Sequence, residues 1–248
     1  MKKNYHWWVF GVAFLTLLGA AGFRSTPAIL IDPLKNEFGW GRCMIGTAVS
    51  INVLLYGFIG PFAAALQMKY GLRRITIWAL SVISIGALLT TQISTTWHLY
   101  LLWGGVVGTG SGCLATVFAS TVATRWFVKN RGLVIGGLTA AGASGQLIFL
   151  PVLSRLADHY GWRWVGVTIA LSALAVIPFV ALLLRNYPSD VGLLPYGAEH
   201  DYVLPETSDR PIRAAFSAFT AAKRSGVFWM LWGSFFVCGL STNGLIQT

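Results

Sequence analysis

Long hydrophobic runs, separated by short polar stretches, cover most of the chain. They lie at about 7–31, 43–66, 75–93, 98–123, 132–154 and 163–184, and a seventh begins at 227 and is still apolar at 248. A helix needs about 20 apolar residues to cross a bilayer. A transmembrane barrel would instead show alternating segments of about 10 residues. The pattern therefore predicts an all-α, multi-pass membrane protein with six complete spans and most of a seventh.

The polar stretches divide the chain into three predicted parts. Residues 1–184 form an amino-terminal bundle of six transmembrane helices, whose short connections are typical of antiparallel neighbours. Residues 185–226 contain four prolines and nearly balanced charges, which is typical of a cytoplasmic linker between two bundles. Residues 227–248 begin a second bundle with a truncated seventh helix, so we expect the chain to be a fragment or to have lost a short tail.

One segment of the chain occurs twice. The sequence reads PFAAALQMKYGLRR at 61–74 and PVLSRLADHYGWRW at 151–164, and a proline, a leucine, the Tyr-Gly pair and an arginine coincide. Each copy lies between two hydrophobic runs and is predicted to be a tight turn. An odd number of spans between the copies puts the two turns on opposite sides of the membrane. Such inverted repeats are typical of transporters, although Tyr-Gly-x-Arg is also a common connection between apolar helices.

Composition and charge agree with this architecture. The chain is 55% hydrophobic and 10% charged, with a mean hydropathy of +0.66, whereas soluble domains carry about 25% charged residues. Its net charge of +10 does not indicate nucleic-acid binding, because the basic residues concentrate in the loops of one side. Cytoplasmic loops are the ones enriched in lysine and arginine. We expect a protein of the cell's inner (plasma) membrane, with a cytoplasmic amino terminus and the lipid bilayer as its surroundings.

Arg24 is the only charged side chain well inside a predicted span. A cation near the bilayer centre costs about 2.5 to 3.5 kcal/mol on insertion scales and usually serves a function. A guanidinium group can donate two parallel hydrogen bonds to a carboxylate. At a rise of about 1.5 Å per residue, Asn52 and Gln146 fall at a similar depth, and Tyr56 lies one turn below Asn52. We therefore predict that Arg24 binds a small anionic substrate and that the other three side chains complete its hydrogen bonds.

Each of these side chains also has a structural interpretation. Arg24 can extend to the outer interface or pair with Asp32, two helical turns further on. Asn52, Tyr56 and Gln146 can form hydrogen bonds between helices. No Asp or Glu lies deep in any predicted span. Proton coupling, if it exists, therefore does not use an intramembrane carboxylate in this part of the protein.

Short motifs recur at the ends of the predicted spans. They are FGW at 38–40, YGLRR at 70–74, RWF at 125–127, NRG at 130–132, AGASG at 141–145, GWR at 161–163, GLLP at 192–195 and FW at 228–229. Together they resemble the major facilitator superfamily, and within it the monocarboxylate-porter and oxalate/formate-antiporter branch. The resemblance covers essentially the whole chain. It implies the six-helix amino-terminal bundle of that fold, built as a 3+3 inverted repeat, with a missing carboxy-terminal bundle as its partner.

The resemblance also implies a function. The expected protein is a secondary active transporter, a symporter or antiporter, that moves a monocarboxylate or dicarboxylate by alternating access. The two repeated turns are expected to gate the passage between the bundles. The expected gating residues are Lys69, Gly71, Arg73, Arg74, Asp158 and Arg163. One departure is that the acidic residue normally three positions before the glycine of the cytoplasmic turn is Met68 here, whereas Asp158 holds this place in the second copy.

Other functions stay open at this point. A carrier for another small polar solute, or a half-size carrier or channel acting as a dimer, would show the same spans. The sequence GASG at 142–145 also matches the Gly-x-Ser-Gly of rhomboid-like proteases, but that serine needs a nearby histidine base, and the four histidines lie at span ends or in loops. The cysteines have no metal or redox spacing. We therefore expect no enzyme, no cofactor and no metal site.

Overall fold

A computed structural model describes residues 5–114, 116–198, 220, 222, 223 and 225–239. Its helices are α1 (Tyr5–Phe38), α2 (Arg42–Tyr70), α3 (Leu72–Thr90), α4 (Thr96–Trp126), α5 (Arg131–Tyr160), α6 (Trp162–Leu183) and α7 (Gly226–Gly239). Among the described residues, six helices, α1 to α6, are long and apolar enough to cross a membrane. The predicted all-α fold with six spans is confirmed. The rest of the predicted seventh span, 240–248, lies outside the described residues.

The fourth helix is built from several pieces. It begins as a short α-helical turn, continues as a π-helix over Tyr100–Val107, returns to α-helix over Gly108–Cys113, and resumes as Thr116–Trp126. Its glycines allow a close approach to both neighbours: a Cβ atom on Gly108 would lie 3.1 Å from the Cα of Asn52 in α2. A Cβ atom on Gly110 would lie 3.0 Å from a carbonyl oxygen of α3. Small residues are typical of helix contacts in membranes, where no hydrophobic effect drives association.

The packing of the six helices repeats itself. Helix α1 packs against α5 and α6, and α4 packs in the same way against α2 and α3. Helix α3 also packs against α6. Exchanging α1, α2 and α3 with α4, α5 and α6 therefore leaves these contacts unchanged. This is the contact pattern that two structural repeats of three helices produce.

The two copies of the repeated segment fold alike. Gly71 joins α2 to α3 with φ 91° and ψ 147°, and Gly161 joins α5 to α6 with φ 90° and ψ 161°. This backbone conformation is essentially restricted to glycine. Pro61 lies inside α2 and Pro151 inside α5, as their positions in the repeat require. The predicted turns are therefore one-residue connections that reverse the chain between two long helices.

The chain remains on the bundle after α6 ends. Tyr196 donates its backbone N–H to the carbonyl of Trp126 at 2.8 Å, and its own carbonyl accepts the N–H of Val128 at 2.9 Å. A ring nitrogen of His6 lies 2.8 Å from the carbonyl oxygen of Leu194. Residues 185–198 belong to the same compact unit as the six helices, so this part of the predicted linker 185–226 packs with them. Residues 199–219 lie outside the described residues.

Candidate functional site

A cleft lies between four helices at mid-length of the bundle. Its volume is about 70 Å³, and α1, α2, α4 and α5 all contribute to its walls. The apolar part of the lining is Leu17, Ala20, Ala21, Phe23, Leu114, Ala119, Leu138 and Gly142. The polar part is Arg24, Tyr56, Ser111, Thr116 and Thr139. An apolar pocket with a few convergent polar groups is typical of a small-molecule site.

Arg24 and Tyr56 come together at this cleft. The guanidinium carbon of Arg24, on α1, lies 4.4 Å from the centre of the Tyr56 ring, on α2. The Arg24 side chain is exposed, whereas the neighbouring Phe23 and Ser25 are buried in helix contacts. The attraction of a cation to an aromatic face is worth about 0.5–1 kcal/mol at exposed sites. A guanidinium has five N–H donors, so its contact with one ring leaves donors for a bound anion.

The predicted alternative partner of Arg24 is engaged elsewhere. The carboxylate of Asp32 lies 3.9 Å from the guanidinium of Arg42. In the described part of the chain the structure forms no ion pair between Arg24 and a carboxylate. The cleft therefore carries a positive charge that its own lining does not neutralise.

Asn52 and Gln146, the other two predicted site residues, lie at helix contacts and not in the lining of the cleft. The buried side chain of Asn52 donates to the carbonyl oxygen of Trp103 at 2.8 Å and so ties α2 to α4. The backbone carbonyl of Gln146 accepts the hydroxyl of Ser25 at 3.3 Å and ties α5 to α1. Both residues hold the walls of the cleft, and the structure does not bring their side chains to Arg24.

Three hydroxyl side chains in the lining were not predicted from the sequence. Ser111 donates to the carbonyl oxygen of Gly108 at 3.0 Å, and Thr139 donates to that of Ile135 at 2.8 Å. A hydroxyl that donates to its own helix keeps its lone pairs as acceptors. Thr116 is the third hydroxyl of the lining. Serine and threonine are common in packed membrane helices, so the sequence carries no signal that distinguishes these three.

The turn between α2 and α3 borders a second, wider cleft at one end of the bundle. Its volume is about 640 Å³. Four of the six predicted gating residues line it together with the start of the segment after α6. The full lining is Met68, Lys69, Tyr70, Gly71, Arg73, Arg74, Ile77, Asn186 and Tyr187. The side-chain oxygen of Asn186 accepts the backbone N–H of Arg73 at 3.0 Å.

The buried side chain of Arg125 connects the elements that form this second cleft. The guanidinium of Arg125 donates to the carbonyl oxygen of Gln67 at 3.3 Å and to that of Asn186 at 3.5 Å. It also lies 4.6 Å from the centre of the Tyr187 ring. Arg125 therefore links the end of α4 to α2 and to residues 186–187. The sequence alone did not identify this contact, because the partners are far apart along the chain.

The turn between α5 and α6, at the other copy of the repeat, carries an ion pair. A guanidinium nitrogen of Arg163 lies 2.6 Å from a carboxylate oxygen of Glu37, and the ring N–H of Trp162 donates to the other oxygen. Glu37 lies beyond the membrane-length part of α1, Tyr5–Pro27. Hydrogen bonds from Trp162 and then Arg163 lower the pKa of Glu37 from its ordinary value of 4.5. The acidic partner of Arg163 is thus Glu37, while Asp158 is exposed.

Among the described residues, no three His, Cys, Asp or Glu side chains come together as a metal site requires. Cys43 is exposed and Cys113 is buried, and both are free thiols.

The family model described as Major Facilitator Superfamily matches residues 9–248 of the chain. An uncharacterised major facilitator-type transporter of Bacillus subtilis is 24% identical over 97% of this chain and 56% of its own length. Monocarboxylate transporter 13 of Bos taurus is 33% identical over 70% of this chain and 40% of its own length. Monocarboxylate transporter 11 of Homo sapiens is 29% identical over 59% of this chain and 38% of its own length. The chain thus spans about half or less of these curated relatives.

Proposed function

Because the chain belongs to the Major Facilitator Superfamily and is a membrane transporter rather than an enzyme, we propose that it forms the amino-terminal bundle of a secondary active carrier for small organic anions. The substrate is a monocarboxylate or dicarboxylate, moved by alternating access. The missing partner is a carboxy-terminal bundle that closes the cleft from the other side. The amino terminus is cytoplasmic and the membrane is the cell's inner membrane.

The observation that carries this proposal is the position of Arg24. It is a cation within the membrane-length part of α1, Tyr5–Pro27, it lines a cleft, and it has no carboxylate partner among the described residues. A site with an uncompensated positive charge favours an anion, because hydrogen bonds to charged groups contribute about 1.5–3 kcal/mol each. Two relatives named as monocarboxylate transporters are consistent with a carboxylate as that anion.

The remaining lining fits the other end of a small organic acid. The apolar side chains of Leu17, Ala20 and Leu138 surround the cleft on α1 and α5. The ring of Tyr56 holds the guanidinium plane from α2. In this proposal Arg24 and Tyr56 contact the substrate. Asn52 and Gln146 support the site indirectly, because their hydrogen bonds hold α2 to α4 and α5 to α1.

The two repeated turns supply the gating part of the proposal. Lys69, Gly71, Arg73 and Arg74 lie at one end of the bundle, and Asp158 and Arg163 lie at the second copy of the turn. Helix ends that carry opposite or unpaired charges can form and break contacts with a second bundle as the carrier changes state. The pair of Arg163 with Glu37 is already formed within this bundle. Asp158, Lys69 and Arg74 are exposed, which leaves them accessible to a partner bundle.

The proposal is tested by uptake of labelled small carboxylates into proteoliposomes that contain the full-length protein. We expect saturable uptake by the wild type and a decrease of at least about ten-fold in the Arg24→Gln variant, since the lost charged hydrogen bonds are worth about 1.5–3 kcal/mol. Arg42→Gln removes an exposed cation from the same half of the protein and is the matched control; it should transport normally.

Each alternative result has a distinct meaning. Equal uptake by wild type and Arg24→Gln would show that Arg24 has a structural role. The proposal of a carboxylate carrier would still stand. If the protein takes up an uncharged polar solute but no carboxylate, the proposed substrate class is wrong and the protein carries a different class of solute. Folding of every variant is checked by size-exclusion chromatography before the assay.

A further inference from the structure

The cleft beside the α2–α3 turn has a composition of its own, and we call it the basic cleft. It is defined by Lys69, Arg73, Arg74, Asn186 and Tyr187. Its volume of about 640 Å³ is far larger than that of the cleft at Arg24. Three of its side chains are cations and none of its lining residues is acidic. Among the described residues none of the three cations forms an ion pair with a carboxylate.

The second copy of the repeated turn provides an internal comparison. There the position equivalent to Met68 is Asp158, and Arg163, the equivalent of Arg73, is neutralised by Glu37 at 2.6 Å. Both turns have the same backbone conformation at their central glycine. The fold of the turn therefore does not require unpaired cations. The excess positive charge is a property of the α2–α3 copy alone.

The uncharged lining residues Asn186 and Tyr187 are held in place by contacts within the bundle. Asn186 is fixed by the N–H of Arg73, and Tyr187 stands over the buried guanidinium of Arg125. The side chain of Lys69 lies against the ring of Tyr70, with the ammonium nitrogen 5.2 Å from its centre. The cleft is thus a concave surface whose shape comes from α2, α3 and residues 186–187 together.

We propose that the basic cleft binds a phosphate group, carried by an anionic lipid headgroup or by a soluble phosphate. It lies where α2 ends and α3 begins, which is the level of the headgroups for a helix pair that leaves the membrane. Arginine matches phosphate through paired N–H donors, and lysine binds it as a point charge. Basic pockets at the ends of membrane helices bind anionic headgroups, with about 1 kcal/mol for each Lys or Arg. This site is separate from the transport cleft and does not depend on the transported substrate.

The test measures thermal unfolding of the purified full-length protein in a non-ionic detergent. Short-chain phosphatidylglycerol, inorganic phosphate and short-chain phosphatidylcholine are titrated separately, since a ligand that binds only the folded state stabilises it by RT ln(1 + [L]/Kd) and so raises the apparent Tm. The variant Lys69→Gln/Arg73→Gln/Arg74→Gln removes the three cations. The control Lys35→Gln/Arg42→Gln/Arg155→Gln removes the same charge from exposed positions elsewhere.

We expect phosphatidylglycerol to raise the Tm of the wild type increasingly with its concentration and phosphatidylcholine to have no comparable effect. The basic-cleft variant should need about a hundred times more ligand, which corresponds to the loss of about 1 kcal/mol for each of the three cations, and the control variant should behave as wild type. Stabilisation by inorganic phosphate at similar concentrations would identify a soluble phosphate as the ligand, and its failure beside a lipid response would identify the headgroup.

Two results would overturn the proposal. One is the absence of concentration-dependent stabilisation by either phosphate source. The other is an equal loss in both triple variants, because that would reflect net charge alone. If the triple variant does not fold, the single variant Arg74→Gln replaces it. Arg74 is exposed, and its removal should weaken binding about five-fold for a contribution of about 1 kcal/mol.

Discussion

Arg24 shows how far a single residue can be interpreted from sequence. Its charge inside an apolar run predicted a site, because a buried cation without a purpose is costly. The structure places it at a cleft against Tyr56, which the helical spacing had put at a neighbouring depth. The same spacing gives depth but not direction around the helix. Asn52 and Gln146 were therefore assigned to the site although their contacts lie between helices.

The contact of the Tyr56 ring with Arg24 leads to a prediction about affinity for the transported anion. Tyr56→Phe keeps an aromatic face under the guanidinium, so we expect near-normal affinity for the transported anion. Tyr56→Leu removes the cation–π contact, worth about 0.5–1 kcal/mol, and should raise the apparent KM about two- to five-fold. Uptake kinetics of the two variants side by side provide the measurement. If both variants lose affinity equally, the hydroxyl rather than the ring is what matters.

Glu37 provides a prediction about pH. Its carboxyl has a pKa below the ordinary 4.5 in the folded protein, because Trp162 and Arg163 bond the ionised form. The stabilisation is therefore complete above about pH 4.5 and is lost as the pH falls through the lower folded-state pKa. We expect Glu37→Gln to lower the apparent Tm at pH 7. The difference in Tm between this variant and the wild type should become smaller as the pH falls below 4.5.

Asp32→Asn is the control for this measurement. Its ion pair with Arg42 spans 3.9 Å between exposed side chains, and such pairs contribute about 0–1 kcal/mol. The Tm of this variant should follow that of the wild type at every pH. A gap for Glu37→Gln that stays constant from pH 7 to pH 4 would contradict the assigned role of the carboxylate charge.

Among the elements, the two repeated turns were predicted best. The Tyr-Gly pair between apolar runs indicated a sharp reversal, and both central glycines adopt the same positive-φ conformation. What surrounds each turn was not predictable. Gly71 faces the side chain of Asn186, 115 residues away in sequence, whereas nothing lies within 4 Å of a Cβ placed on Gly161. Contacts of this kind arise from tertiary packing, and a single sequence carries no direct record of them.

The different surroundings of Gly71 and Gly161 lead to a prediction about the stability of the two turns. Gly161→Ala should cost about 1–3 kcal/mol, the strain of a non-glycine residue in this backbone region. Gly71→Ala should cost more, because its Cβ would also lie 2.7 Å from the Asn186 side chain. Thermal unfolding of the two variants measures the gap between them.

A second substitution separates strain from collision. Asn186→Ala removes the side chain that Gly71→Ala would meet, so the double variant should lose less stability than the two single losses added together. The same substitution beside Gly161→Ala should be additive. The collision with Asn186 would be contradicted if both glycine variants lost the same stability, or if the stability losses were additive in both double variants.

At the scale of the whole molecule, the number and order of the spans followed from apolar run lengths alone. Four of the six predicted spans agree with their helices to within four residues at both ends, while α1 continues to Phe38 and α5 to Tyr160, past the predicted ends at 31 and 154. The continuation of α1 carries Asp32, Lys35 and Glu37, so the apolar run ends before the helix does. After α6, the Asn186 side chain and the Tyr196 backbone form hydrogen bonds with the bundle, and hydropathy does not register contacts of this kind.

The inverted repeat makes a prediction that only the whole molecule can test. If α1 to α3 and α4 to α6 have opposite topologies, Lys69 and Asp158 face opposite sides of the membrane, and the positive-inside bias puts Lys69 in the cytoplasm. Both side chains are exposed. In a background with Cys43, Cys113 and Cys238 replaced by serine, a membrane-impermeant maleimide should label Asp158→Cys in intact cells and Lys69→Cys only in inverted vesicles.

The labelling pattern tests the inverted repeat and the membrane orientation separately. Labelling of both positions from the same side would contradict the inverted repeat, because three spans between structurally equivalent turns must carry the chain across the membrane an odd number of times. The reverse pattern would keep the repeat and overturn the orientation. In that case the basic residues around Lys69 would face the outside, against the usual bias, and the charge of this turn would have to be explained by what it binds.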